Sequence, residues 1–98
     1  MRKVVFSKSA SQEIDELLNY LESEWSVKVK QNFIHKLDNS VLQISKYPLS
    51  AEKSGVKDGL RRLVITKQTT LFYTHNESRV FIVAIFDTRQ NPNKLKLK

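Results

Sequence analysis

The chain has no cysteine, and only two glycines, two prolines and one tryptophan among 98 residues. Without cysteine there is no disulfide, no thiol nucleophile and no thiolate metal site, and a reducing compartment is allowed. No apolar run approaches the roughly 18 residues that would span a bilayer. The first residues also lack the apolar core of a secretory signal, so the chain is expected to be cytoplasmic, with no membrane contact. Also missing are a glycine-rich phosphate loop, a Ser-His-Asp set and a helical pair of carboxylates, which removes the commonest signatures of nucleotide binding and hydrolysis.

What is present is a modest core and a surplus of positive charge. A hydrophobic content of 40% with nine aromatics suits one domain spanning residues 1–98. The formal charge is +7, and it is unevenly placed: residues 1–50 carry seven basic and six acidic groups, residues 51–98 ten and four. A basic surface attracts partners of opposite sign, either nucleic acid or an acidic protein segment, and charge alone does not choose between them.

Hydrophobic period divides the chain. KVVF is a short strand that stops at Ser7, a helix N-cap residue. Ala10, Ile14, Leu17, Leu18, Leu21 and Trp25 then recur at helical spacing over roughly residues 8–24, with acidic residues placed in the first turns. Ser26 caps a second helix, whose apolar positions Val29, Phe33, Ile34, Leu37, Val41 and Ile44 run on until Pro48. So short a link as Trp25–Ser26 makes an antiparallel helical hairpin. PLSAEKSGVKDG is aperiodic and reads as the one real loop. LRRLVIT, TLFYTH and RVFIVAIF follow as strands separated by turn-length KQT and NES. The expected fold is α+β: an N-terminal strand, a two-helix hairpin, then a three-stranded antiparallel meander, all in one sheet with the helices on one face. The last run is apolar at consecutive positions from Val80 to Phe86, which marks a central strand.

Strand alternation puts Arg61 on the face of Leu63 and Ile65, and Arg62 with Val64 on the other. Arg61, near the start of its strand, would emerge beside Arg89, where two guanidiniums grip a phosphate or carboxylate; the blander reading is solvated surface charge. His75 has the pKa class of a general base but no evident orienting partner. Neither it nor His35 has a second ligand at metal spacing, so no metal or cofactor is expected, and Tyr73 reads as a packing residue. Asp87 is placed to pair with Arg89 or to cap the turn around Asn91–Pro92.

These segments, in this order, resemble the RelE/ParE superfamily of bacterial type II toxins. The similarity runs through VFSKSASQEIDELLNYL, Trp25, Phe33, the YP at 47–48, GLRRLVI, LFYTH and above all VFIVAIFDTRQNP, where FDTRQNP looks most like the ParE-type branch. The resemblance implies a cognate antitoxin that covers the basic surface with an extended, often acidic segment. It implies hetero-oligomers with that antitoxin, and operator DNA contacted only through it. Its ParE-like members poison DNA gyrase; its RelE-like members cut messenger RNA on the ribosome. Target binding would then fall to Arg61, Arg62, Arg89, Lys94, Lys96 and Lys98. A nuclease would use Arg61, Lys67, His75 and Arg89 to stabilise charge and move protons. Leu95 stands where a RelE-type tyrosine would fall, and Thr70 and Leu71 where such nucleases tend to present an arginine; both departures favour the gyrase reading. A further alternative is a non-toxic basic domain that serves with its antitoxin as a DNA-binding repressor.

Overall fold

The computed structural model describes residues 1–55 and 58–89. The chain runs β1 (Lys3–Phe6), α1 (Lys8–Glu24), α2 (Val27–Lys46), β2 (Glu52–Lys53), β3 (Arg61–Val64), β4 (Thr69–His75) and β5 (Arg79–Asp87). Both helix starts follow from single serines. The Ser7 hydroxyl accepts from the Ala10 amide at 3.0 Å, and Ser26 accepts from Val29 at 3.0 Å, so each satisfies one of the amides that a helix start leaves unpaired. The expected acidic first turn of α1 is not found: its first turn holds no carboxylate, and Glu13, one turn further on, reaches the sheet instead.

All strands belong to one five-stranded sheet in the order β1-β5-β4-β3-β2. β3, β4 and β5 form the expected antiparallel meander. The sheet is nevertheless mixed, because β1 runs parallel to β5, with Val4 opposite Val80 and Phe6 opposite Ile82. It also has one strand more than the periodicity suggests. Glu52 and Lys53, inside the expected loop, pair with Arg62 and Arg61 as β2; two residues with no apolar period carry no strand signal.

The helical hairpin covers one face. Leu17 and Leu21 of α1, with Phe33, Leu37 and Ile44 of α2, pack with Leu71, Tyr73, Val80, Ile82 and Ile85 of the sheet in one buried cluster. Trp25 departs from this pattern: it caps α1 and is 58% exposed. β5 is internal as expected, and a bulge opposite Phe72 and Tyr73 inserts Val83 into it. Among the described residues no helix is long and apolar enough to cross a membrane.

Leu17 and Phe33 are 1% and 4% exposed. Leu17→Ala or Phe33→Ala is therefore expected to lower stability by about 2–5 kcal/mol through lost burial and a residual cavity. Chemical denaturation measures it, and a change under about 0.5 kcal/mol, the range of surface substitutions, would remove that residue from the core.

Candidate functional site

The residues singled out in the sequence fall into two groups at opposite ends of the sheet. Arg61 pairs with Tyr73 across β3 and β4, whereas Asp87, beside Arg89, pairs with Thr69 four residues earlier on β4. At about 3.3 Å of rise per residue, that separation is roughly 13 Å along the strand. Arg61 and Arg89 therefore do not form one guanidinium pair. Strand alternation assigns Arg61 a face, but the register that sets its end of the sheet depends on hairpin geometry that residue types do not fix.

At the first end, Arg61 is half-buried and donates from Nη1 to the Ala51 carbonyl at 2.6 Å. Tyr73 donates its hydroxyl to the Pro48 carbonyl at 2.5 Å, so two side chains of the sheet tie down the segment after α2. Burial pushes the Tyr73 phenol above its ordinary pKa, with the Arg61 charge acting in the other direction. Gly59, at φ 78°, takes the left-handed turn into β3, and Ser54 donates its amide to the Leu60 carbonyl at 2.8 Å. The result is a cleft of about 400 Å³ lined by Lys53, Ser54, Asp58, Gly59, Leu60, Arg61 and His75. Arg61 and His75 thus share one cationic recess with Lys53, a residue that gave no signal in the sequence.

At the second end, Asp87 is 5% exposed and has three kinds of donor. Arg89 donates to it from Nη2 at 2.9 Å, from Nε at 3.2 Å and from its backbone amide at 2.9 Å. The Thr69 hydroxyl makes a further short hydrogen bond to the carboxylate. The expected ion pair with Arg89 is present, and the carboxylate also accepts from the Arg89 amide; the turn around Asn91–Pro92, where Asp87 is expected to act as cap, lies outside the described residues. The Arg89 guanidinium lies 6.0 Å from the Trp25 ring centroid, a cation–π distance, and the Arg89 carbonyl accepts from Tyr20 Oη at 3.2 Å. Burial alone would raise the Asp87 pKa, but the hydrogen bonds from Arg89 and Thr69 and the guanidinium charge outweigh it and hold the carboxyl below its usual value. The basic side chain of Arg89 is engaged in holding the end of β5.

The remaining candidates are dispersed. Arg62 points away from the helices and pairs with Glu52 at 2.8 Å. Lys67 is exposed in the β3–β4 turn, and His35 is exposed on α2. Lys94, Lys96 and Lys98 lie outside the described residues.

Comparison with known proteins puts this geometry in a family context. Residues 4–92 match the family model described as the ParE toxin of the type II toxin–antitoxin system parDE. No curated protein sequence matches significantly. Among solved structures, the chain is similar to one of a chromosomal ParDE toxin–antitoxin system from P. aeruginosa, with 11% identity, 89% of this chain and 96% of that one covered, and a TM-score of 0.75. A YoeB/ParE toxin from Agrobacterium tumefaciens gives 14% identity, 87% and 96% coverage and a TM-score of 0.65. The E. coli DinJ-YafQ toxin–antitoxin complex gives 11%, 92% and 96%, and 0.64. At such identities the structural likeness establishes the fold.

The Asp87 clasp has a pH signature. A carboxyl whose folded pKa is depressed contributes stability above its unfolded pKa of about 3.9, and that contribution is lost as pH falls through the folded value. Asp87→Asn should lower stability at pH 7 by about 1.5–3 kcal/mol, the range for hydrogen bonds to charged groups. The difference between wild type and variant should shrink below about pH 4. Denaturant titrations at pH 7 and pH 3 test this, and a difference independent of pH would refute the ionised clasp.

Proposed function

The chain belongs to the ParE toxin family of type II toxin–antitoxin systems, and on that premise we propose that it arrests growth by binding DNA gyrase and is held inactive by a cognate antitoxin. The observation that favours binding over cleavage is the scatter of the residues a nuclease would need. Arg61 and His75 share a recess, but Lys67 stands in an exposed turn and Arg89 is committed to Asp87 at the other end of the sheet. Cleavage through a ribose 2′-hydroxyl requires a base, donors for the developing phosphate charge and an acid for the leaving oxygen, all around one phosphate. Four groups spread over two ends of a sheet do not converge in that way.

In this reading the effector surface is cationic and extended, made by Arg61, Arg62 and Arg89 with Lys94, Lys96 and Lys98 of the C-terminal segment. A protein of this size binds a large partner through such a surface by electrostatic steering followed by local contacts. Ribosome-dependent messenger-RNA cleavage is the second reading, and the shared Arg61–His75 recess is the observation that favours it.

The purified chain is expected to inhibit supercoiling by gyrase in vitro, and its induction is expected to leave transcripts whole. Transcripts cut on induction, and spared by His75→Ala, would establish the nuclease instead. Removing residues 93–98 leaves the Asp87–Arg89 clasp in place, so this truncation is expected to relieve growth arrest without unfolding the chain. Full toxicity of the truncated chain would exclude the C-terminal segment from the effector surface.

A further inference from the structure

The end of the sheet that carries the clasp also carries the turn of the helical hairpin, where Trp25 is 58% and Val27 49% exposed. Tyr20 of α1 meets the Arg89 carbonyl. Trp25 stands five residues later, about 7.5 Å further along the helix axis, so its ring projects past the core and lies beside the Arg89 guanidinium. The turn itself does not use the indole. It is closed by the Ser26 hydroxyl and by the backbone amides of Trp25 and Ser26, which both donate to the Leu21 carbonyl. Next to the same arginine, α2 and the β3–β4 turn enclose a recess of about 220 Å³ lined by Asn32, Lys36, Thr66, Gln68 and Arg89, with no carboxylate among its described lining residues. The clasp occupies Nε and Nη2 of Arg89, and Lys36 is in no ion pair among the described residues.

We propose that the hairpin tip anchors the chain to its protein target: Trp25 and Val27 enter an apolar socket, and a carboxylate on the rim of that socket is taken by Lys36 and Arg89 in the adjoining recess. The proposal rests on the growth-arrest reading above and deepens it by naming the side chains that select the target. Tryptophan and arginine are enriched among the few residues that dominate binding energy at interfaces. Here they are already in place. The clasp fixes the guanidinium and the guanidinium lies against the indole, so little ordering is needed on contact. Charge complementarity argues for an acidic rim, because the recess offers an unpaired lysine and no carboxylate. A nucleic acid is the poorer occupant. Phosphate backbones are bound by stripes of cations, whereas the tip presents two apolar side chains and the exposed carboxylate of Glu24 next to Trp25. The tip is also continuous with the part of the effector surface formed by Arg89 and the C-terminal segment that follows it.

The test combines growth assays with calorimetric titration of purified gyrase by the full chain. Trp25→Ser and Lys36→Glu alter exposed side chains, and thermal melts verify that each variant is folded. Each is expected to weaken binding by about 10- to 100-fold and to relieve growth arrest. Trp25→Phe should recover part of the loss, and only the Lys36 contribution should fade in high salt. Trp25 is the single tryptophan of the chain, so 5-fluorotryptophan labelling gives one fluorine resonance, which is expected to shift with gyrase and to stay in place with duplex DNA alone. Undiminished growth arrest by both folded variants would overturn the anchor while leaving the toxin reading intact. A shift with DNA alone would overturn the protein socket in favour of nucleic acid. Lost affinity for the protein encoded in the adjoining reading frame, with growth arrest retained, would overturn it by making the tip the antitoxin's surface. If the wild-type chain fails to bind gyrase while the variants still relieve growth arrest, the gyrase reading falls and the anchor stands for another protein target.

Discussion

A strand inside a sheet must satisfy its backbone on both edges, and in this fold that demand falls on β5. One edge is met along its whole length by β4, from His75 opposite Val80 to Thr69 opposite Asp87. The other is met by β1, which is four residues long and reaches only Ile82. Beyond that point the ends of α1 and its cap take over. Ser7 donates its amide to the Ile82 carbonyl at 2.9 Å and its hydroxyl to the Val83 carbonyl at 3.2 Å. Glu13 accepts from the Ile85 amide at 3.0 Å. A buried amide without a partner would cost about 1–3 kcal/mol, so the bulge at Val83 persists because α1 supplies what a longer β1 would have supplied. The same contacts fix where α1 crosses the sheet, and through the two-residue link they fix α2.

Once β5 is placed, its last residue sets the limit of the core. Asp87 continues the buried alternation of Val80, Ile82 and Ile85, which requires a charge to sit where an apolar side chain would normally close the strand. The ion is tolerated because Thr69 and Arg89 surround it with donors, in keeping with the rule that buried charges are paired and hydrogen-bonded. Such a pair is weak evidence for net stability, since an apolar replacement can do as well. Its clearer consequence is geometric: the carboxylate takes the Arg89 side chain and amide together, while Tyr20 takes the Arg89 carbonyl, so the direction of the chain leaving the sheet is specified by three elements.

Much of this was legible in the residues. The helix spacing of Leu17, Leu21, Phe33 and Leu37 gave both helices and their buried faces, and Ser7 and Ser26 gave their starts. The consecutive apolar run from Val80 to Phe86 gave the internal strand. What escaped was whatever depends on one element's position against another. β1 could join the sheet in either direction until its register with β5 was seen. Trp25 fits the apolar spacing of α1, yet at the helix end it lies past the sheet and meets a guanidinium instead of the core. Arg61 and Arg89 both lie in the basic half, but the register of β3 on β4 carries them apart, while Lys53, silent in sequence, is brought beside Arg61 by the two-residue pairing of β2.

The distribution of charge connects these points to function. Of the cations the structure describes, Lys30, Arg62 and Arg89 are held by Glu22, Glu52 and Asp87; the first two pairs are exposed, and such pairs contribute about 0–1 kcal/mol each. They shape the surface more than they stabilise it. The cations around His75 are differently placed: Lys53 and Arg61 line a cleft whose walls are held by the Tyr73–Pro48, Arg61–Ala51 and Ser54–Leu60 hydrogen bonds. A fold kept at 11–14% identity across the solved relatives preserves burial pattern and strand order while leaving surface chemistry free to change, so the fold does not dictate the target. Specificity in such a scaffold has to reside in the surface charge that no ion pair neutralises, and among the described residues of this chain that charge is found both beside β2, at Lys53 and Arg61, and at the other end of the sheet, at Lys67 in the β3–β4 turn.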